Sequence, residues 1–159
     1  MQGNTRIIAL LNALLAGELA ARDQYFLHSR MLSEWGLHRL AERIGHEMED
    51  ETGHADVLIR RILFLEGIPQ MTPAALRIGH DVTSMLQNDL AVELEVVAEL
   101  RRVIGACEQE GDYVTRDMLL PLLDDTEHDH ARWLEQQLRL IKLMGLPNYI
   151  QSQASGSNT

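Results

Sequence analysis

The chain has 159 residues and a mass of 18.0 kDa, one ordinary domain that needs no disulfide staple. Its 14 Lys+Arg against 24 Asp+Glu give a net charge of −10 and a pI near 5.1. That excludes a general nucleic-acid binder, which needs a basic face, and suits a surface that draws cations. The single cysteine, Cys107, cannot form an internal disulfide, which points to a reducing, cytoplasmic setting.

In chain order, the first predicted helix runs from about Thr5 to Glu34 and stops at Trp35-Gly36. Its apolar start, Ile7 to Ala16, is too short for a membrane span, and the helical pattern continues past Glu18, unlike a cleaved leader. The second runs from about His38 to Glu66 and stops at Gly67-Ile68-Pro69. Residues 70–80 contain Pro73 and Gly79 and read as a long connection. The third spans about Asp81 to Glu110, and the fourth about Tyr113 to Met144, ending at Gly145-Leu146-Pro147. A short helix is expected over residues 148–151, and the small, polar tail 152–159 reads as disordered. No strand-type alternation occurs. Short turns within each pair and one long crossover between pairs define an all-α four-helix bundle with a short fifth helix, over residues 1–151.

Each helix carries an apolar stripe at spacings of three and four, and each stripe is interrupted by a carboxylate. The first reads Ile7, Leu11, Leu14/Leu15, Glu18, with Tyr25 two turns on; the second reads Ile44, Met48, Glu51, Ala55, Leu58, with His54 beside Glu51. The third reads Leu86, Leu90, Glu93, Val97, Leu100; the fourth reads Leu120, Leu123, Glu127, His130, Leu134. Glu18 and His54 each lie eighteen residues from Gly36, and Glu93 and Asp129 each lie eighteen from Gly111. Antiparallel pairing therefore brings the six side chains to one level, about 27 Å from the turns. Buried carboxylates are costly unless paired or bound to metal. Four glutamates and two histidines on four helices form the donor set of a di-iron or di-manganese centre. Glu-x-x-His strings arise by chance, so the shared level, not the string, carries the weight. The bland alternative is a set of interhelical ion pairs with Arg22, Arg43 or Arg61. Glu95 and Glu99 fall on a solvated face, which leaves Glu93 as the third-helix donor, and Asp124, Asp125, His128 and Asp129 read as an acidic surface that could attract iron.

Five further stretches stand out: Leu-Ala-Ala-Arg-Asp-Gln-Tyr-Phe-Leu-His-Ser-Arg-Met (19–31), Glu-Thr-Gly-His-Ala-Asp (51–56), Arg-Ile-Leu-Phe-Leu-Glu-Gly (61–67), Asp-Tyr-Val-Thr-Arg-Asp-Met (112–118) and Met-Gly-Leu-Pro-Asn-Tyr-Ile-Gln-Ser-Gln (144–153). With these, the chain resembles the bacterioferritins over nearly its whole length, which implies the ferritin-like four-helix bundle. It implies a hollow shell of 24 subunits that oxidises Fe(II) with O2 or H2O2 and stores ferric mineral inside. It implies that Glu18 and His54 hold one iron and Glu93 and His130 the other, with Glu51 and Glu127 bridging, two Fe per subunit. Tyr25 becomes a candidate electron donor, His46 and Asp50 inner-surface residues of iron passage, and Asn148 and Gln151 pore-lining residues. A ferredoxin-type reductant for release is a further implied partner; no membrane or nucleic-acid partner is implied.

Two departures from the family pattern stand out. The methionine that ligates haem is replaced by Thr52, which argues against haem and for a haem-free shell or a mixed shell in which another subunit supplies that ligand. The crossover is also one residue shorter and the fourth helix one residue longer near Pro121, which predicts a kink or π-bulge before Glu127. Two rival readings are a small di-iron peroxidase or oxygenase acting on a separate substrate, and a non-catalytic shell or interaction subunit.

Overall fold

The computed structural model describes residues 1–154. Helix α1 (Thr5–Glu34) starts at Asn4, whose side chain accepts the N–H groups of Arg6 and Ile7. It reverses through Gly36, at φ +83°, into α2 (His38–Phe64). At the end of α2 the left-handed residue is Glu66, at φ +63°. Gly67 is small because a Cβ there would lie 2.6 Å from the Ile8 side chain.

The crossover then runs back along α1 and is pinned to it. Asn12 donates to Ile68 O at 3.1 Å and accepts from Gln70 N at 2.8 Å, while Ala74 N donates to Ala16 O at 3.0 Å. Further along, Arg77 N donates to the side-chain oxygen of Gln24 at 2.8 Å and Gly79 N to His28 Nε2 at 3.0 Å. An Asp81–Ser84 capping box starts α3 (Val82–Gln109). After Gly111, at φ +71°, Asp112 caps α4 (Tyr113–Asp125) by accepting from Thr115 N. The fourth helix continues without a break through a π-helical segment, Thr126–Ala131, into α5 (Arg132–Met144). The last element, α6 (Leu146–Gln153), extends the expected 148–151 at both ends, so Ser152 and Gln153 are helical; residues 155–159 of the expected tail lie outside the described residues.

The bundle core is not continuous. One apolar cluster, with Ile7, Leu11, Leu15, Leu58, Ile62 and Leu100, fills the end near the crossover's start. A second, with Leu32, Leu40, Ile44, Met85, Leu134 and Tyr149, fills the opposite end. Glu18, Glu51, His54, Glu93 and His130, each buried, lie between them.

The fourth helix departs from the expected stripe. Its buried residues before the π segment are Thr115, Leu119 and Leu122, then Thr126, whereas Leu120 is 45% exposed. The π segment holds one residue more per turn than an α-helix, so every position before it faces about 100° away from the expected phase. Thr126 takes the inward position expected for Glu127 and donates its hydroxyl to Leu122 O at 2.7 Å. The π-bulge predicted from the extra residue is present, and it includes Glu127 instead of preceding it.

Candidate metal centre

Glu51 stands at the centre of the layer. Its Oε2 lies 3.5 Å from His54 Nδ1, which is also 3.4 Å from Glu18 Oε2. Its Oε1 lies 3.0 Å from His130 Nδ1, which is 3.5 Å from Glu93 Oε2. Two groups of possible ligand atoms, Glu18/Glu51/His54 and Glu51/Glu93/His130, thus share Glu51, each with its atoms within 4.8 Å of one another. The imidazoles face each other with centroids 5.8 Å apart.

These atoms are close but not hydrogen-bonded. Of the eight buried side-chain atoms without a hydrogen-bond partner among the described residues, six belong to the layer: both oxygens of Glu18, Glu51 Oε2, Glu93 Oε2, and Nδ1 of His54 and His130. Orphaned buried acceptors converging on two points are what a pair of cations satisfies. The chemistry of the set, carboxylate oxygen plus one imidazole nitrogen on each side and no thiolate, suits iron or manganese.

The electrostatics agree. Burial, followed by the neighbouring Glu51 charge, pushes the Glu18 carboxyl well above its usual range, and burial raises Glu93. Burial works against a charged His54, but the adjacent Glu18 and Glu51 carboxylates override it and raise the imidazole to about 11. His130 is raised in the same way, against burial, by Glu47, Glu51 and Glu93. Without a metal the layer therefore retains protons that a cation must displace. Tyr25 donates its hydroxyl to Glu93 Oε1, and burial together with Glu93 holds its phenol well above the ordinary value.

Five of the six expected ligands thus come together, and Tyr25 joins them. Glu127 is corrected: turned aside by the π segment, its carboxylate accepts from Arg101 Nη2 at 2.6 Å, so the expected bridge is not formed by this residue. Of the arginines named in the ion-pair alternative, Arg22 holds Asp23, Arg61 holds Asp112 and Arg43 holds Glu47 and Asp129; Glu127 does make the interhelical ion pair that alternative describes, but with Arg101. Asp50 does reach the centre, with Oδ2 3.2 Å from His130 Nε2, while His46 is 58% exposed and lies 3.6 Å from Asp50.

Two flanking residues escaped the sequence reading. Glu47 is buried, with Oε2 2.5 Å from His130 Nε2 and Oε1 accepting from Arg43 Nε at 2.7 Å. Arg43 also grips Asp129 at 3.1 Å and lies over the Trp133 ring. The phase Leu40, Ile44, Glu47, Glu51 would have found Glu47; the reading placed Met48 there, which is only partly buried. Asp125, read as acidic surface, lies with Oδ2 2.7 Å from His54 Nε2.

Comparison with known proteins accords with this geometry. The model of the Ferritin-like domain family matches residues 8–144. A bacterial ferritin of Neisseria meningitidis serogroup B is 59% identical over 153 residues, covering 96% of this chain and 99% of its own length. A bacterial ferritin of Synechocystis is 56% identical over 156 residues, 98% of this chain and 100% of its own. A bacterioferritin of Brucella melitensis is 40% identical over 156 residues, 98% and 96%. With the four-helix bundle, the carboxylate–imidazole layer and this full-length similarity together, the chain belongs to the ferritin family.

Proposed function

We propose that this iron-storage protein oxidises Fe(II) at the layer between the two halves of its bundle, two irons per subunit, and passes ferric product to the interior of a shell. The observation that carries this is the set of six unsatisfied buried donor atoms converging on two points that share Glu51. In this reading Glu18 and His54 hold one iron, Glu93 and His130 the other, and Glu51 bridges them. Each Fe(II) gives one electron; O2 takes two with two protons to become H2O2, or H2O2 takes two with two protons to become water. Displaced layer protons supply part of that demand. Carboxylates that can shift between one- and two-oxygen binding follow the change from Fe(II) to Fe(III). Tyr25, bonded to Glu93, is proposed as the donor of the second electron to the oxidant when only one Fe(II) is bound, its phenolic proton being lost with that electron.

The same reading extends to assembly. The relatives' family points to a multimeric shell, for which 24 copies are proposed here, either of this chain alone or mixed with a haem-ligating subunit. Thr52 is exposed on α2 and donates to Met48 O, so this chain is proposed to bring no haem ligand at that position. A ferredoxin-type reductant for release is proposed with it. No helix among the described residues is long and apolar enough to cross a membrane, which supports a proposed cytoplasmic location.

The test is aerobic Fe(II) loading of metal-free protein, followed by size-exclusion chromatography with iron and haem absorbance recorded on the peak. The expected result is a large particle with far more than two irons per subunit and no haem band. A small species with two irons or fewer would overturn storage in a shell and favour a di-iron peroxidase or oxygenase working on a separate substrate. Glu51→Ala should slow initial oxidation at least about tenfold, whereas Glu127→Ala should change it less than about threefold.

A further inference from the structure

Beyond the layer, where α2 meets the π segment, carboxylates crowd the outward nitrogen of His130. Its Nε2 lies 2.5 Å from Glu47 Oε2, 3.2 Å from Asp50 Oδ2, 3.8 Å from Asp125 Oδ2 and 4.0 Å from Asp129 Oδ2. Glu47, Asp50, Asp129 and His130 bring ligand-type atoms within 4.8 Å of one another, a grouping separate from the two that share Glu51. Acidic clusters are common without a metal, but this one holds an uncompensated atom. Glu47 is 2% exposed, and its Oε2 makes no hydrogen bond among the described residues. A buried carboxylate oxygen in that state is costly, and a cation beside it removes the cost. One cation is already there. Arg43 donates from Nε to Glu47 Oε1 at 2.7 Å and from Nη2 to Asp129 Oδ1 at 3.1 Å, and its guanidinium lies 4.7 Å over the Trp133 ring. It thus bridges two acids of the group, one from α2 and one from the π segment, with an aromatic face to hold it between them.

From this we infer that Arg43 shuts a further cation position built from Glu47, Asp50 and Asp129, and so holds the subunit's capacity for divalent metal at the two places in the layer. Two effects exclude the ion. The guanidinium keeps its charge at any physiological pH and repels a divalent cation a few ångströms away. Its two hydrogen bonds also occupy one oxygen of Glu47 and one of Asp129 that the ion would need. Asp129 is 44% exposed and Asp50 25%, so ions can reach the position from solvent, and charge, not a wall of side chains, closes it. An ion leaving the layer past His130 therefore finds no place to lodge. The bland alternative is that Arg43 only ties α2 to the fourth helix. Its removal would then lower stability and create no capacity for metal.

The count of two rests on the proposed metal centre, and the two ideas fail differently. Co(II) serves as probe. Metal-free full-length protein is dialysed against Co(II), and bound cobalt per subunit is counted by elemental analysis for wild type, Arg43→Gln, Arg43→Lys and the double variant Arg43→Gln with Glu47→Gln. Arg43→Met, which keeps an aliphatic stem against Trp133, is a second neutral variant held to the same count in case Arg43→Gln does not fold. Wild type is expected to bind about two Co(II), and the neutral variants about three. Their extra ion should bind at least about tenfold more tightly than any ion wild type takes beyond two. Arg43→Lys keeps a positive charge and should stay at about two, and the double variant, without the orphaned carboxylate, should return to about two. Neutral variants at the wild-type count would overturn the inference, as would wild type already at about three. Arg43→Lys binding the extra ion as tightly as Arg43→Gln would overturn it too, because charge would not be what excludes the ion. So would a double variant that kept the extra ion, which would then sit elsewhere. Wild type that bound no Co(II) would bring down the proposed centre alone, since the one-ion difference between wild type and Arg43→Gln would still decide this inference.

Discussion

At the scale of single residues, burial of charge and its compensation explain most of what the layer does. His54 is raised to about 11 because Glu18 and Glu51 outweigh its burial. A histidine raised in the folded state contributes stability that is full below about pH 6.5, its unfolded value, and that fades as pH climbs through 11. Glu18 and Glu93, raised by burial, act in the same direction, since ionising them inside the bundle costs stability as pH rises. The urea midpoint of metal-free protein should therefore fall between pH 6.5 and pH 10, and His54→Gln should shrink that fall. A second buried pair holds the crossover. His28 accepts Gly79 N–H at Nε2, which leaves the proton on Nδ1 to be donated to Asp89 at 2.9 Å, and Gln24 adds a second donor at 2.7 Å. Replacing His28 by Leu strips a donor from a buried carboxylate and frees a crossover amide, so chemical denaturation should report a loss of about 1–3 kcal/mol. The sequence offered no sign of this role: a single histidine within the first helix has no distinguishing period, and its partners lie 61 and 51 positions away.

Among elements, the fourth helix is where reading and structure part. Its existence and its ends near Tyr113 and Met144 were legible in the sequence, and a bulge was legible from the residue it has in excess of the family pattern, although the π segment lies beyond Pro121, at Thr126–Ala131. The facing of its first half was not, because Leu119/Leu122 and Leu120/Leu123 are equally good apolar stripes one residue apart, and only the position of the extra residue chooses between them. That choice decided the fate of Glu127 and Asp125. Glu18, Glu51, Glu93 and His130 were legible because each sits on an apolar stripe at one shared level, and His54 because it lies one turn from Glu51 on the same side. Deleting His128 should convert the π segment to a regular α turn and rotate Asp125 away from His54. The expected outcome is unchanged helix content by circular dichroism, with Co(II) affinity at one of the two positions reduced about tenfold or more.

On the scale of the whole molecule, the apolar interior is two bodies of side chains separated by a polar seam. Ile62 belongs to one and Met85 to the other, and both are almost fully buried. Each substitution to alanine should cost about 2–5 kcal/mol in the metal-free protein. Ile62 and Met85 belong to different clusters, with only the partly buried Val92 packed against both, so the double variant should lose the sum of the single losses to within about 0.5 kcal/mol. A coupling well above that, measured in a double-mutant cycle, would mean that the seam transmits strain. The divided interior also sets out where this chain tolerates redesign. Either end of the bundle offers room for repacking toward heat resistance, by ordinary exchanges among aliphatic side chains, as an independent module, while the chemistry in the middle keeps its own walls.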